Sequence, residues 1–152
     1  MSEINSFEGR FCFLSNFHPS PFVGSDGNTW DTVEHFFQAM KTLDVDEREF
    51  VRGKMTAGRA KRAGRKVTLR KDWDDVKLSV MEEALIKKFT QNKNLGRLLV
   101  DQTGDNFLCE GNTWHDQFWG NCTCPLHKDL AGENHLGRLL MEIREILVEL
   151  GE

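Results

Sequence analysis

Residues 32–41 read TVEHFFQAMK. Val33, Phe36, Phe37 and Met40 fall at i, i+3, i+4 and i+7, the repeat of one helix face. Glu34, Gln38 and Lys41 lie within about 60° of one another on a helix that turns roughly 100° per residue, beside the apolar stripe rather than opposite it. A polar row in that place borders the core, where partial burial can move carboxylate and ammonium pKa values. Taken singly, Glu34 reads as the acid of a D-x-x-E capping box begun by Asp31, and Lys41 as a surface lysine. His35 points to the far side and reads as surface.

Outward from this segment the helical period recurs. Residues 136–150 carry Leu136, Leu139, Leu140, Ile143, Ile146, Leu147 and Leu150 in an unbroken stripe, the cleanest helix of the chain. Asp72 opens a long helix running to about Thr90 with a broad apolar face. Residues 46–63, cut by Gly53 and Gly58, read as two short helices ending at Gly64. The strand expectations are brief: aromatic-rich 11–17 (FCFLSNF), a hairpin of 21–23 and 28–30 around GSDG, and short runs at 67–69 and 107–110. The expected fold is α+β, a mostly helical single domain over residues 1–152 with a few short strands.

The 152 residues, 39% hydrophobic and 29% charged, suit one soluble domain with a real core. No apolar run approaches the roughly 20 residues of a membrane span. MSEINSFEGR lacks a basic n-region and an apolar h-region, so a cytoplasmic location is expected.

The net charge of −4 conceals an asymmetry. Nine of the twenty Lys and Arg residues fall within 52–71, a block with no acid. It reads either as a solvated basic surface or as a positive island able to receive an anion such as phosphate.

Cys12, Cys109, Cys122 and Cys124 read as free thiols in a reducing compartment. Cys122-Thr-Cys124, with His127 and His115 nearby, departs from the recognised zinc spacings, and no metal or other cofactor is expected. The glycine-rich region 111–133 is long for a loop in a compact domain, which points to function. Within it, Asp116 and Trp119 of DQFWG suit a binding wall: Trp119 to stack on a planar heterocycle, Asp116 to orient a ribose hydroxyl or a water. The competing reading makes Trp119 a core plug. Trp73, just after the basic block, carries the same two readings. No G-x-G-x-x-G, Walker A, G-x-S-x-G or H-E-x-x-H pattern occurs.

Taken together, FLSNF (13–17), VEHFFQAMK (33–41), GRKVTLRKDWDDVK (64–77), KF (88–89), DQFWG (116–120) and GENHLGRLLMEIR (132–144) resemble the NADAR, or YbiA-like, family across nearly the whole chain and in the family's order. The resemblance implies an N-glycosidase that hydrolyses a ribose C1′–N bond. Its implied substrates are phosphoribosylamino-pyrimidine intermediates of riboflavin synthesis or ADP-ribosylated guanine in nucleic acid. It implies Glu34, Lys41 and Asp116 as catalytic residues and Asn16, Gln38, Arg65, Arg70, Trp73, Trp119 and Asn134 around the substrate. Segment 120–128, GNCTCPLHK, departs from the family pattern through its two cysteines.

N-glycosidic cleavage builds positive charge on ribose and needs a proton on the leaving nitrogen. Glu34 suits the carboxylate. Lys41 suits either an amine nucleophile forming a Schiff base at C1′ or a phosphate clamp. Arginines of the basic block suit bidentate phosphate contacts. No membrane and no obligate protein partner is expected. Two other classes stand beside this reading: a non-catalytic ADP-ribose or nucleotide-binding module, and a zinc-stabilised interaction domain.

Overall fold

A computed structural model describes residues 2–151. In chain order the elements are β1 (Glu3–Ile4), a 3₁₀ helix (Gly9–Leu14), β2 (Phe22–Val23), β3 (Thr29–Trp30), α1 (Val33–Ala39), α2 (Val45–Arg52), α3 (Ala57–Gly64), α4 (Trp73–Gln91), α5 (Lys93–Thr103), β4 (Phe107–Leu108), β5 (Gly111–Asn112), β6 (Asn121–Cys122) and α6 (His135–Glu149). Helices dominate and the strands are two residues each, so the fold is α+β as expected. No helix among the described residues is long and apolar enough to cross a membrane. Two compact units form: one runs Asn16–Asn92, the other joins the chain up to Ser15 with everything from Lys93.

In the Asn16–Asn92 unit, α1 is the central element and packs on α2, α3, α4 and β3. All seven of its residues are buried. Phe36 takes the β2–β3 hairpin edge-on, its ring centroid 5.7 Å from Phe22 and 5.4 Å from Trp30. The hairpin is antiparallel, with Phe22 opposite Trp30, and Gly27 turns it at φ +83°. That positive φ is the reason the GSDG cluster ends in glycine.

In the other unit, β1 pairs parallel with β4, and β5 pairs parallel with β6. Helix α6 covers β4 and α5. Arg144 of α6 donates from Nη1 to Thr103 Oγ1 and to the Asn106 carbonyl, each at 2.9 Å, closing off the C-terminal end of α5.

Several expectations need correcting. Residues 11–17 form no strand. Gly9–Leu14 is a 3₁₀ helix, and Ser15 donates its N–H back to the Cys12 carbonyl. Short aromatic runs satisfy either period, and here local turns win. Residues 67–69 are irregular, tied by Thr68 N–H and hydroxyl to the Glu47 carboxylate. The cap of α1 is Thr32, not Asp31; its hydroxyl accepts from His35 N–H at 3.1 Å. Glu34 is therefore not the acid of a capping box. His35 is buried rather than surface. Its Nε2 donates to the Lys54 carbonyl at 2.9 Å, which leaves Nδ1 to accept the Thr32 hydroxyl at 2.8 Å. Asp72 precedes α4 but makes no side-chain cap, because the Arg70 guanidinium holds its carboxylate. Helix α5 was not anticipated from the sequence.

Candidate active site

Glu34 is only 7% exposed, and around it the Asn16–Asn92 unit gathers most of the anticipated polar residues. Its backbone N–H donates to the Asn16 carbonyl at 3.1 Å. Its Oε2 accepts from Gln38 Nε2 at 3.4 Å, one helical turn on. Asn16 Oδ1 and Gln38 Oε1 are buried acceptors with no hydrogen-bond partner among the described residues. Each such orphan costs about 1–3 kcal/mol, a cost that a ligand donor would offset.

Lys41 follows the C-cap of α1 and is half-buried, its Nζ 5.7 Å from the centre of the Phe37 ring. Burial pushes its pKa below the ordinary lysine value; the Glu34 carboxylate opposes that shift, while the cationic Lys61 and Arg65 reinforce it. An amine whose charged form is disfavoured by burial, beside a carboxylate, is the arrangement a nucleophilic lysine requires.

The basic block thus divides by use. Arg52 is spent on Glu49, Arg70 on Asp72, and Lys54 lies 3.8 Å from the Phe50 ring centre. Lys61 of α3 and Arg65, the C-cap residue one turn on, act on Lys41 instead. Beside Lys61, α3 buries Ala57, Ala60, Ala63 and Gly64 against the core, so the helix lies close to α1. At Gly64 a Cβ would collide with Gln38 Oε1. Lys61 was missed from the sequence; the signal was its i, i+4 spacing to Arg65 on an alanine-rich helix. Phe17, 44% exposed with Lys61 Nζ 5.9 Å from its ring centre, was also passed over as an aromatic surface.

Trp73 is buried, edge-on to Phe37 at 5.0 Å, and backs the α1 helix. The Arg70 backbone N–H donates to the Lys41 carbonyl at 2.7 Å, which fixes the chain just past α1.

Asp116, Trp119 and Asn134 belong to the other unit. Asp116 Oδ1 accepts the N–H groups of Phe118 and Trp119, at 3.2 and 2.9 Å, so the carboxylate shapes the turn that carries the indole. Asn112 clamps the Asp116 backbone from both sides. Trp119 is half-buried and meets Phe118 edge-on at 4.8 Å. Asn134, in the left-handed region at φ 51°, spends its amide on backbone: Oδ1 accepts from Glu110 N–H and Nδ2 donates to the Leu108 carbonyl. Its side chain joins the start of α6 to β4.

His115, Cys122, Cys124 and His127 also converge in this unit, their ligand atoms all within 4.8 Å of one another.

The NADAR-domain family model matches residues 5–148. The chain belongs to the NADAR family. N-glycosidase YbiA of Shigella flexneri serotype 5b (strain 8401) is 44% identical over 136 residues, covering 88% of this NADAR chain and 80% of that protein. A riboflavin biosynthesis protein of Vibrio vulnificus (strain YJ016) is 39% identical over 139 residues, 90% of this chain but 36% of the longer protein. The NMR structure of the E. coli protein YbiA matches the NADAR chain with a TM-score of 0.82 at 39% identity, over 99% of this chain and 89% of that one.

Proposed function

We propose that this NADAR protein is an N-glycosidase that hydrolyses the ribose C1′–N bond of a phosphorylated ribosyl compound. The observation that carries the reading is the pair of buried Glu34 and half-buried Lys41, a carboxylate acting on an amine whose charged form is disfavoured. The N-glycosidase names of 41–44% identical relatives support the reaction class. The family match over residues 5–148 supports treating the whole chain as one NADAR domain, and we place it in the cytoplasm.

In the proposed reaction the neutral Lys41 amine attacks C1′ as the C1′–N bond breaks, and the proton that the attacking amine sheds goes to the leaving nitrogen. Glu34 stabilises the positive charge that develops on the sugar. Opening of the ribose ring gives a Schiff base on Lys41, and water then hydrolyses it to release the sugar and restore the amine. Gln38 orients Glu34. Asn16 and Gln38 offer their orphan carbonyls to sugar hydroxyls, and Arg65 with Lys61 attracts the phosphate. Arg70 and Trp73 position α1 from behind. In the other unit, Trp119 offers its indole for stacking on a heterocycle, Asp116 sets that indole through its two amide contacts, and Asn134 acts as a positioning residue.

The substrate is either a riboflavin-pathway phosphoribosylamino-pyrimidine, in keeping with the name of the Vibrio relative, or ADP-ribosylated guanine in nucleic acid. Mass spectrometry on the purified protein offered both classes tests the reading. Release of ribose phosphate and the aminopyrimidine from the first, or of ADP-ribose from the second with guanine left in the strand, is expected, with loss in Glu34→Gln and Lys41→Ala while circular dichroism stays native. Undiminished turnover in both variants would overturn the assignment.

A further inference from the structure

We propose that His115, Cys122, Cys124 and His127 form a tetrahedral Zn²⁺ site that staples the loop carrying Trp119. Cys124 Sγ lies 3.2 Å from His115 Nδ1 and 3.1 Å from His127 Nδ1, and the two Nδ1 atoms are 3.4 Å apart. Zinc bonds near 2.3 Å to sulfur and 2.0–2.1 Å to nitrogen give tetrahedral edges of about 3.3–3.8 Å. The three edges among Cys124, His115 and His127 fall within a few tenths of an ångström of that range, and Cys122 Sγ lies within 4.8 Å of the other ligand atoms. Two thiols and two imidazoles are the donor set that selects zinc over magnesium or calcium.

The surroundings favour thiolate ligands. Cys122 Sγ accepts the backbone N–H groups of His115 at 3.3 Å and Cys124 at 3.4 Å, and amide donors stabilise the charged form. Both cysteines are buried, whereas His115 is exposed and His127 half-buried, which leaves the cluster open on its imidazole side. His115 holds a left-handed backbone, φ 71°, uncommon for a residue with a Cβ. That turn is what brings its Nδ1 back to the cysteines.

The sequence groups the four residues without a recognised zinc spacing. The ligands run H-x₆-C-x-C-x₂-H, which matches no paired C-x₂-C pattern. The parallel pairing of β5 with β6 sets Cys122 opposite Asn112 and so beside His115, and a turn in which His127 and Lys128 donate to the Cys124 carbonyl returns the second imidazole. Asp116 follows the first ligand directly, and Trp119 lies between the first and second. A bound zinc would cross-link the two ends of the segment that presents the indole, independently of the glycosidase reading.

The test is metal analysis of the full-length protein purified under reducing conditions, with cobalt(II) titration of the metal-stripped chain. About one zinc per chain is expected, with thiolate-to-cobalt charge transfer and tetrahedral d–d bands on titration. Cys122→Ser/Cys124→Ser should retain less than roughly a tenth of that zinc. His127→Ala, a milder change at the half-buried edge, should weaken cobalt binding with native circular dichroism. A wild-type chain with neither zinc nor a tetrahedral cobalt spectrum overturns the site. So does a double variant that keeps its zinc, or a Cys122–Cys124 disulfide recovered in place of metal.

Discussion

Gln38 reaches Glu34 Oε2 with its Nε2 at 3.4 Å while its own Oε1, pressed against Gly64, has no partner among the described residues. The amide therefore steers the carboxylate at the expense of one of its own hydrogen bonds. Gln38→Met removes the orphan and keeps most of the volume. The melting temperature should hold or rise, in line with about 1 kcal/mol or more recovered, while kcat/KM falls at least tenfold. Calorimetry beside steady-state kinetics checks the split; an unimpaired variant would detach Gln38 from the chemistry.

Lys41 makes the pH dependence explicit. Burial lowers its pKa from the ordinary 10.5, so between the lowered value and 10.5 the unfolded chain holds the proton that the folded chain has released. Stability should rise with pH across that window, and Lys41→Met should flatten the rise. A rate that depends on the neutral amine also climbs with pH until the lowered pKa is passed. Lys61→Gln removes a cation that depresses Lys41, so the rising limb should move to higher pH. Unfolding midpoints and rate profiles of the variants against wild type read both effects.

Borohydride offers a chemical check on the same lysine. Reduction during turnover should trap the ribosyl moiety on Lys41 as a stable amine, visible as a mass increment on the peptide that contains residues 33–41. Lys41→Arg should give no adduct. Wild-type turnover without any adduct would favour the phosphate-clamp role.

Two glycines of α3 give opposite expectations. Gly64→Ala forces a Cβ into Gln38 and should cost about 1–3 kcal/mol. Gly58→Ala meets nothing within 4 Å and should gain up to about 1 kcal/mol from helix propensity. Urea titrations of the two variants make the comparison, and only Gly64→Ala should depress activity.

Asn134→Ala should cost about 2–4 kcal/mol, since it deletes two buried hydrogen bonds and leaves a Cβ residue at φ 51° without local support. Asn134→Asp keeps the acceptor for Glu110 N–H but loses the donor to Leu108, so it should fall between. Denaturant midpoints rank the three proteins.

Periodicity carried α1, α4 and α6 because their apolar residues repeat over several turns. It did not find α5, where Asn94 and Gly96 weaken the local preference and the helix forms by burying Gly96 and Leu99. FCFLSNF misled because an aromatic-rich run this short fits more than one element. At the site, Glu34, Gln38 and Lys41 were legible as a row, but the burial of the whole helix was not. His35 looked like surface until Thr32 and the Lys54 carbonyl occupied both its ring nitrogens. The four residues of the His–Cys cluster were named from the sequence but set aside on their spacing, because strand pairing rather than a recognised ligand spacing brings them together.

Helix α1 has no solvent side, since all seven residues from Val33 to Ala39 are buried. Sequence drift therefore has no neutral face to use there. A library randomised across α1 and selected for folding should return close to the parental sequence, whereas Arg62 and Lys66, exposed in and just past α3, should accept almost any residue. Any divergence in what such a protein accepts would then have to be written on exposed positions such as Phe17 and Arg65, with the reacting pair handed down unchanged.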